Sequence, residues 1–217
     1  MNPAIIELLV LAGIAVFLIM RLSSVLGTRE GHEKPPLADP KPQPKRDFQL
    51  IDGGEDMDIL DNAPKGSDTA EALAKMKRAE HDFSVNDFLG GARMAYEMIL
   101  MAFERGDLSE VRGFLAADIA EVFDDVIAAR TAQGLTVEAN FIGLREMRLV
   151  SANFDDATKM AEITVSYNAE MTSVVRNADG DIVEGDAKQI KRQKDTWTYA
   201  RTMGNGDPNW QLVATGE

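Results

Sequence analysis

Hydrophobic and polar positions divide the chain into four regimes. An apolar run, IIELLVLAGIAVFLIM, extends from Ile5 to Met20 and is broken only by Glu7. Residues 23–67 follow, sparse in apolar side chains and carrying prolines at positions 35, 36, 40, 42, 44 and 64. From about Asp68 to Gly134 apolar residues return at three-and-four spacing, the signature of helices with one buried side. Beyond Gly134 the spacing falls to two, the signature of half-buried strands.

The helical regime centres on Phe88 to Gly134. Phe88, Ala92, Ala95, Ile99, Ala102 and Phe103 share one face of a first helix; Val111, Leu115, Ile119, Val122, Phe123, Val126 and Ile127 share one face of a second. Gly106 suits the left-handed residue that ends a helix, and Asp107 or Ser109 can cap the next. Arg130 favours the second helix's C-terminus, and Gly134 closes it. The pattern predicts a helical hairpin with an apolar side that needs a cover. Before it, a lead-in helix over 68–83 is predicted, with Asp68 as N-cap and a narrow strip of Ala70, Leu73, Met76 or Lys77, and Ala79-Glu80, beside Lys75, Lys77 and Arg78. Such a helix either lies on anionic lipid or packs on the domain. Its small apolar area favours packing.

The cover is a set of strands over the rest of 84–217. TVEANFIGLREMRLVSANFD reads as extended, with Met147, Leu149 and Ser151 on one side. After a turn at Asp155-Asp156, Ile163, Val165, Tyr167, Ala169 and Met171 alternate with Thr164, Ser166, Asn168, Glu170 and Thr172, one greasy side and one wet. Asn177 to Gly180 reads as a hairpin turn. Strands around Lys188–Arg201 and Trp210–Thr215 follow, separated by a turn at Gly204–Pro208. The predicted class is α+β, a helical hairpin packed on a curved antiparallel sheet.

The first regime, 1–22, holds a run that, counted generously from Pro3 to Leu22, approaches the roughly 20 residues that span a bilayer. Ile5, Ile6, Leu8, Leu9, Val10, Leu11, Ile14, Val16, Phe17, Leu18, Ile19 and Met20 form the expected transmembrane anchor, with Glu7 near its outer end. No basic segment precedes it, so it reads as an uncleaved anchor rather than a secretory signal. The first positive charges, Arg21 and Arg29, come after the run, followed by Lys34, Lys41, Lys45 and Arg46, and place the C-terminal side in the cytoplasm. The competing reading is a short helix buried in the domain, from which the proline-rich tract would separate it. That tract, 23–67, reads as a disordered linker, with Phe48, Leu50, Ile51, Ile59 and Leu60 as a possible recognition segment within it.

Composition narrows the chemistry. The 217 residues contain no cysteine, which excludes disulfides, thiolate metal sites and cysteine nucleophiles. His32 and His81 are the only histidines, and both precede the hairpin. No metal or cofactor is expected. A formal charge of −13 argues against a nonspecific nucleic-acid binder, which needs a basic face.

Several ordered motifs carry a family resemblance over about Ser84 to Glu217. These are AYE at Ala95–Glu97, AFERGD at Ala102–Asp107, the Phe123, Ile127, Arg130, Gly134 spacing, DTWTYAR at Asp195–Arg201 and PNW at Pro208–Trp210. Together they resemble the C-terminal domain of the Tim44-like family, named for the adaptor of the mitochondrial inner-membrane translocase. The resemblance implies a nuclear-transport-factor-like cone of curved sheet, attachment at an inner membrane and an adaptor role that holds a heat-shock chaperone near a protein-conducting channel. The chain departs from the mitochondrial adaptor in its N-terminal part, where an anchor and tether replace the chaperone-binding half. It is similar there to a bacterial, membrane-anchored branch. Membrane lipid and a protein partner, a chaperone or membrane-protein complex, are the expected partners.

Candidate site residues follow. An apolar pocket between hairpin and sheet would be lined by Tyr96, Leu100, Phe123 and Trp197, open to an acyl chain or helix, or else packed shut as core. Lys188, Lys191, Arg192 and Lys194 form the dense positive stretch of an acidic domain; they are a candidate patch for anionic lipid, or solvated lysines of a strand edge. Cones of this class also host isomerases, which pair an Asp base with a Tyr donor. Tyr96, Tyr167 and Tyr199 with Asp118, Asp124 or Asp195 supply the residue types, but the tyrosines fall at core spacing and Asp124 on a wet helix face. No catalytic residue is assigned. The expectation is an adaptor, with a lipid- or small-molecule-binding module of the same fold, isomerase-like at most, as the alternative.

Overall fold

The computed structural model describes residues 56–216. The expected anchor over 1–22, and the linker up to residue 55, lie outside the described residues. Among those described, no helix is long and apolar enough to cross a membrane.

The first described element lies inside the stretch expected to be linker. A helical turn, α1 (Met57–Leu60), buries Ile59, and Ala63 is buried just after it. The cause is Asp58. Its carboxylate accepts hydrogen bonds from the N–H groups of Val85 (2.7 Å) and Asn86 (2.9 Å) and pairs with Lys77 (2.7 Å). A carboxylate at a helix N-terminus satisfies orphan N–H groups and opposes the positive end of the helix dipole. Composition alone gives no sign of that bond.

Helix α2 (Asp68–Ala79) is capped by Ser67, whose Oγ accepts from the N–H of Ala70 (3.2 Å); the expected cap was Asp68. Leu73 and Met76 are fully buried, so this helix packs on the domain. Helix α3 (Val85–Arg105) is capped by Ser84 and ends at Gly106, which takes the left-handed conformation expected of it (φ 77°). Its buried face runs through Val85, Phe88, Ala92, Tyr96, Ile99, Leu100 and Ala102.

The second hairpin helix differs from its prediction. Helix α4 spans Ala117–Ala132, and Asp107 instead closes a turn by accepting from the N–H of Ser109 (2.9 Å). A 3-10 turn at Arg112–Phe114 follows. Leu115 then forms a parallel bridge with Leu212, and the N–H of Ala116 donates to the Leu212 carbonyl (2.9 Å). Val111 and Leu115 are buried, but off the helix. Satisfying a strand's open backbone groups prevailed over helical spacing here. Val126, predicted on the apolar face, is exposed.

Strands β1 (Thr136–Phe154), β2 (Met160–Arg176), β3 (Ile182–Thr202) and β4 (Gln211–Gly216) form one antiparallel sheet in sequential order. Asp155 organises the first turn by accepting from Ala157 and Thr158, and Asn177 the second by accepting from Asp179 and Asp181. Ile163, Val165, Tyr167, Ala169 and Met171 are all buried, as their alternation predicts. The alternation on β1 does not run through. Its partly buried residues, Phe141, Leu144, Met147, Leu149 and Ala152, are three apart at each of three register shifts, which leaves Ser151 exposed. Strand β3 starts near 182 rather than 188 because it too is interrupted: four of its residues, 187–190, stand opposite the single Thr172. Gly185 makes this possible. With φ at 79°, a Cβ there would lie 2.1 Å from the Ser173 carbonyl oxygen. Bulges of this kind bend and twist a sheet, and here they curl it around α2 and α3.

Candidate functional site

The concave side of the sheet is filled by aromatic rings. Tyr96 from α3 stacks on Tyr167 of β2, with centroids 4.2 Å apart and planes 12° apart, and meets Trp197 of β3 at 4.7 Å. Phe88 sits edge-on to Tyr199 (5.9 Å) and Trp210 (4.7 Å). Each contact follows from spacing: Phe88, Ala92, Tyr96 and Ile99 share the inner face of α3, while Tyr167 and Trp197 are inward positions of neighbouring strands.

Every tyrosine hydroxyl in this cluster has a partner. The Tyr96 hydroxyl donates to Asp195 Oδ2 at 2.5 Å. Tyr167 donates to the Ala92 carbonyl (3.3 Å), and its hydroxyl lies 2.9 Å from that of Tyr199. Burial is the main cause pushing all three phenols above their ordinary range; Asp195 adds to it in each, Tyr167 adds to it in Tyr96 and Tyr199, and the bond with Tyr199 eases Tyr167 back. They remain neutral donors across physiological pH.

Of the four candidate pocket residues, the structure brings Tyr96, Leu100 and Trp197 together as buried core. Phe123 lies apart, packed on Phe103 (4.8 Å), whose ring and carbonyl also hold Arg130. Among the aspartates weighed as bases, only Asp195 meets a tyrosine. Asp124 pairs with Arg112 (2.8 Å), and Asp118 is exposed at the start of α4. The Asp195–Tyr96 pair has the residue types of an isomerase site, but its tyrosine is fully buried and its hydroxyl is already bonded to the carboxylate.

The basic stretch is divided among three environments. Lys188 belongs to the looped-out part of β3. Lys191 stands opposite Met171, on the inward side near Glu104, whose carboxyl is pushed up by burial and eased back by Arg130 and Lys191. Arg192 and Lys194 face outward, Arg192 against Glu170 (3.4 Å) and Lys194 in a recess that it lines with Glu146, Arg148, Ser166, Asn168 and Thr196 and that Tyr167 and Asp195 also reach. Among the described residues, no group of acidic or histidine side chains is placed to hold a metal.

Sequence reasoning missed two features. One is Arg201, which is nearly fully buried. It pairs with Glu80 (2.7 Å), donates to the Asp207 carbonyl (3.0 Å) and lies 5.2 Å over the Trp210 ring. The other is the outward face of the sheet, where Arg145 and Arg148 of β1 stand beside Arg192 and Lys194. The period-two alternation on β1 would have revealed it only with the bulge positions known.

A family model described as a Tim44-like domain matches residues 69–217. Among solved structures, the intermembrane space region of the chloroplast protein ARC6 is similar at 12% identity, with a TM-score of 0.39, and the match covers 59% of this chain and 94% of that one. No curated protein matches.

Proposed function

The chain belongs to the Tim44-like domain family, and from that premise we propose that it is a membrane-tethered adaptor that docks a protein partner at the cytoplasmic face of an inner membrane. The observation that carries this reading is the filled concavity: Tyr96, Tyr167, Trp197 and Tyr199 close the inner side, and their hydroxyls are bonded to one another, to backbone or to Asp195. A domain whose inside is occupied by its own rings acts through its outside. Residues 1–22 supply the anchor, and the cations from Arg21 to Arg46 set its orientation. The proline-rich tether then keeps the domain at high local concentration beside the membrane, which raises the effective affinity of each docking event without bond chemistry.

Fractionation tests the tether. The intact chain stays with membranes after an alkaline carbonate wash, and its release into the soluble fraction overturns the reading. Affinity purification of the crosslinked full chain from solubilised membranes tests the adaptor role. A stoichiometric protein partner is the expected result; a tightly held small molecule with no protein refutes it.

A further inference from the structure

The strand ladder is interrupted at several points, and at four of them a side chain is presented to solvent over one stretch of the sheet's outward face. Ile142 lies between the paired residues Phe141 and Gly143, Arg145 between Leu144 and Glu146, and Val150 between Leu149 and Ser151. Ile190 is the last of the four looped-out residues of β3. The three aliphatics are about half exposed, at 47% for Ile142, 53% for Val150 and 55% for Ile190. A bulge leaves a residue unpaired and re-aims its side chain, and such re-aiming clusters where a surface is used. Between these aliphatics, the cross-strand register sets polar residues in rows: Glu146, Asn168 and Lys194 in one, Arg148, Ser166 and Thr196 in the next. Glu170 is held by Arg145 (2.8 Å) and Arg192 (3.4 Å). Four cations thus face two outward carboxylates, the third carboxylate of the recess, Asp195, being bonded to Tyr96, in a chain whose formal charge is −13.

We propose that this face, from Ile142 and Ile190 to Val150, docks an acidic amphipathic segment of the protein partner, an inference that rests on the adaptor reading above. The charge balance selects an acidic ligand. Size selects a segment rather than a domain: eight residue steps along β1 and three strands across give about 25 by 15 Å, well below the roughly 800 Å² per partner of a stable domain interface. A helix of about 15 residues has that length. The aliphatics at the two ends of the face match apolar residues of such a segment, and the central cations match its carboxylates. Interspersed signs disfavour a bilayer, because Glu146 and Glu170 would be pressed against anionic headgroups whereas a peptide can meet each charge with its opposite.

The test uses the full chain in phosphatidylcholine nanodiscs and a labelled fifteen-residue helical peptide with Glu along one face and Leu flanking it. Fluorescence anisotropy is expected to show salt-sensitive binding. The double variant Arg148→Glu, Lys194→Glu weakens it at least tenfold, while the charge-matched pair Arg93→Glu, Arg105→Glu, exposed on α3, changes it less than twofold. Equal binding of a Lys-for-Glu peptide, indifference to the Arg148 and Lys194 reversals, or capture of phosphatidylglycerol vesicles through those same residues overturns the proposal. A photo-crosslinker placed at Val150 or Ile190, against one at Met94 on α3, separates the two levels of inference in native membranes. A protein adduct from Met94 alone refutes this face and leaves the adaptor reading intact. No protein adduct from any position refutes the adaptor reading itself.

Discussion

Replacing Arg201 with methionine tests how the lead-in helix is fastened to the sheet. The Arg201 side chain is only 6% exposed, and its partner Glu80, just past the end of α2, is 27% exposed. Breaking a buried pair by removing one member costs about 3–5 kcal/mol. Glu80 can recover part of its hydration and keeps its bond from the Gly204 N–H (3.0 Å), so partial exposure lowers the expected loss to about 2–3 kcal/mol. Methionine preserves the apolar stem over Trp210, which isolates the charge. For a domain of this size that loss corresponds to roughly 5–10 °C in Tm. Urea denaturation of the full chain in mild detergent measures it, and a double-mutant cycle with Glu80→Gln should give a coupling above about 1 kcal/mol. Acid adds a second reading. Burial raises the Glu80 carboxyl, but the Gly204 N–H and the Arg201 guanidinium outweigh it and hold the group below its ordinary value of 4.5. A depressed carboxyl contributes stability above its unfolded pKa and loses it as pH falls through the folded one. The penalty of Arg201→Met therefore shrinks in acid. A cycle coupling within about 0.5 kcal/mol of zero, or the same penalty at pH 7 and pH 3, refutes the reasoning.

Gly185→Ala forces a Cβ onto the Ser173 carbonyl at a positive φ, and the far end of the β2–β3 hairpin should lose hydrogen-exchange protection while α2 and α3 keep theirs. Tyr96→Phe removes a buried hydroxyl bond to a carboxylate and should cost about 1.5–3 kcal/mol in urea denaturation. All three tyrosines of the chain are pushed up by burial, so alkaline titration at 295 nm should show no phenolate until the fold opens. Because their folded pKa is raised, the stability they contribute is present below pH about 10 and is lost above it. Asp58→Asn should destabilise at neutral pH, and the difference from the parent should fade in acid. There, burial raises the Asp58 carboxyl, but Lys77 and the Val85 and Asn86 N–H groups hold it low.

Much of this molecule was legible in one dimension. The three-and-four spacing of Phe88, Ala92 and Ile99, the stop at Gly106, the alternation from Ile163 to Met171 and the turn at Asn177–Gly180 are local facts, because side-chain period and positive φ belong to a few adjacent residues. They determined α3, most of β2 and its hairpin, and the α+β class. Tertiary structure alone decided where the local rules gave way. Leu115 left its helical run to bridge Leu212, Asp58 reached 27 residues along the chain to cap α3, and Arg201 joined the end of α2 to the sheet. The bulges on β1 and β3 belong to the same group. Each is a register choice between two strands, set by which backbone groups can pair, so no single strand records it. Those choices close the inside over Tyr96 and turn Ile142, Arg145, Val150 and Ile190 outward, where a partner can reach them.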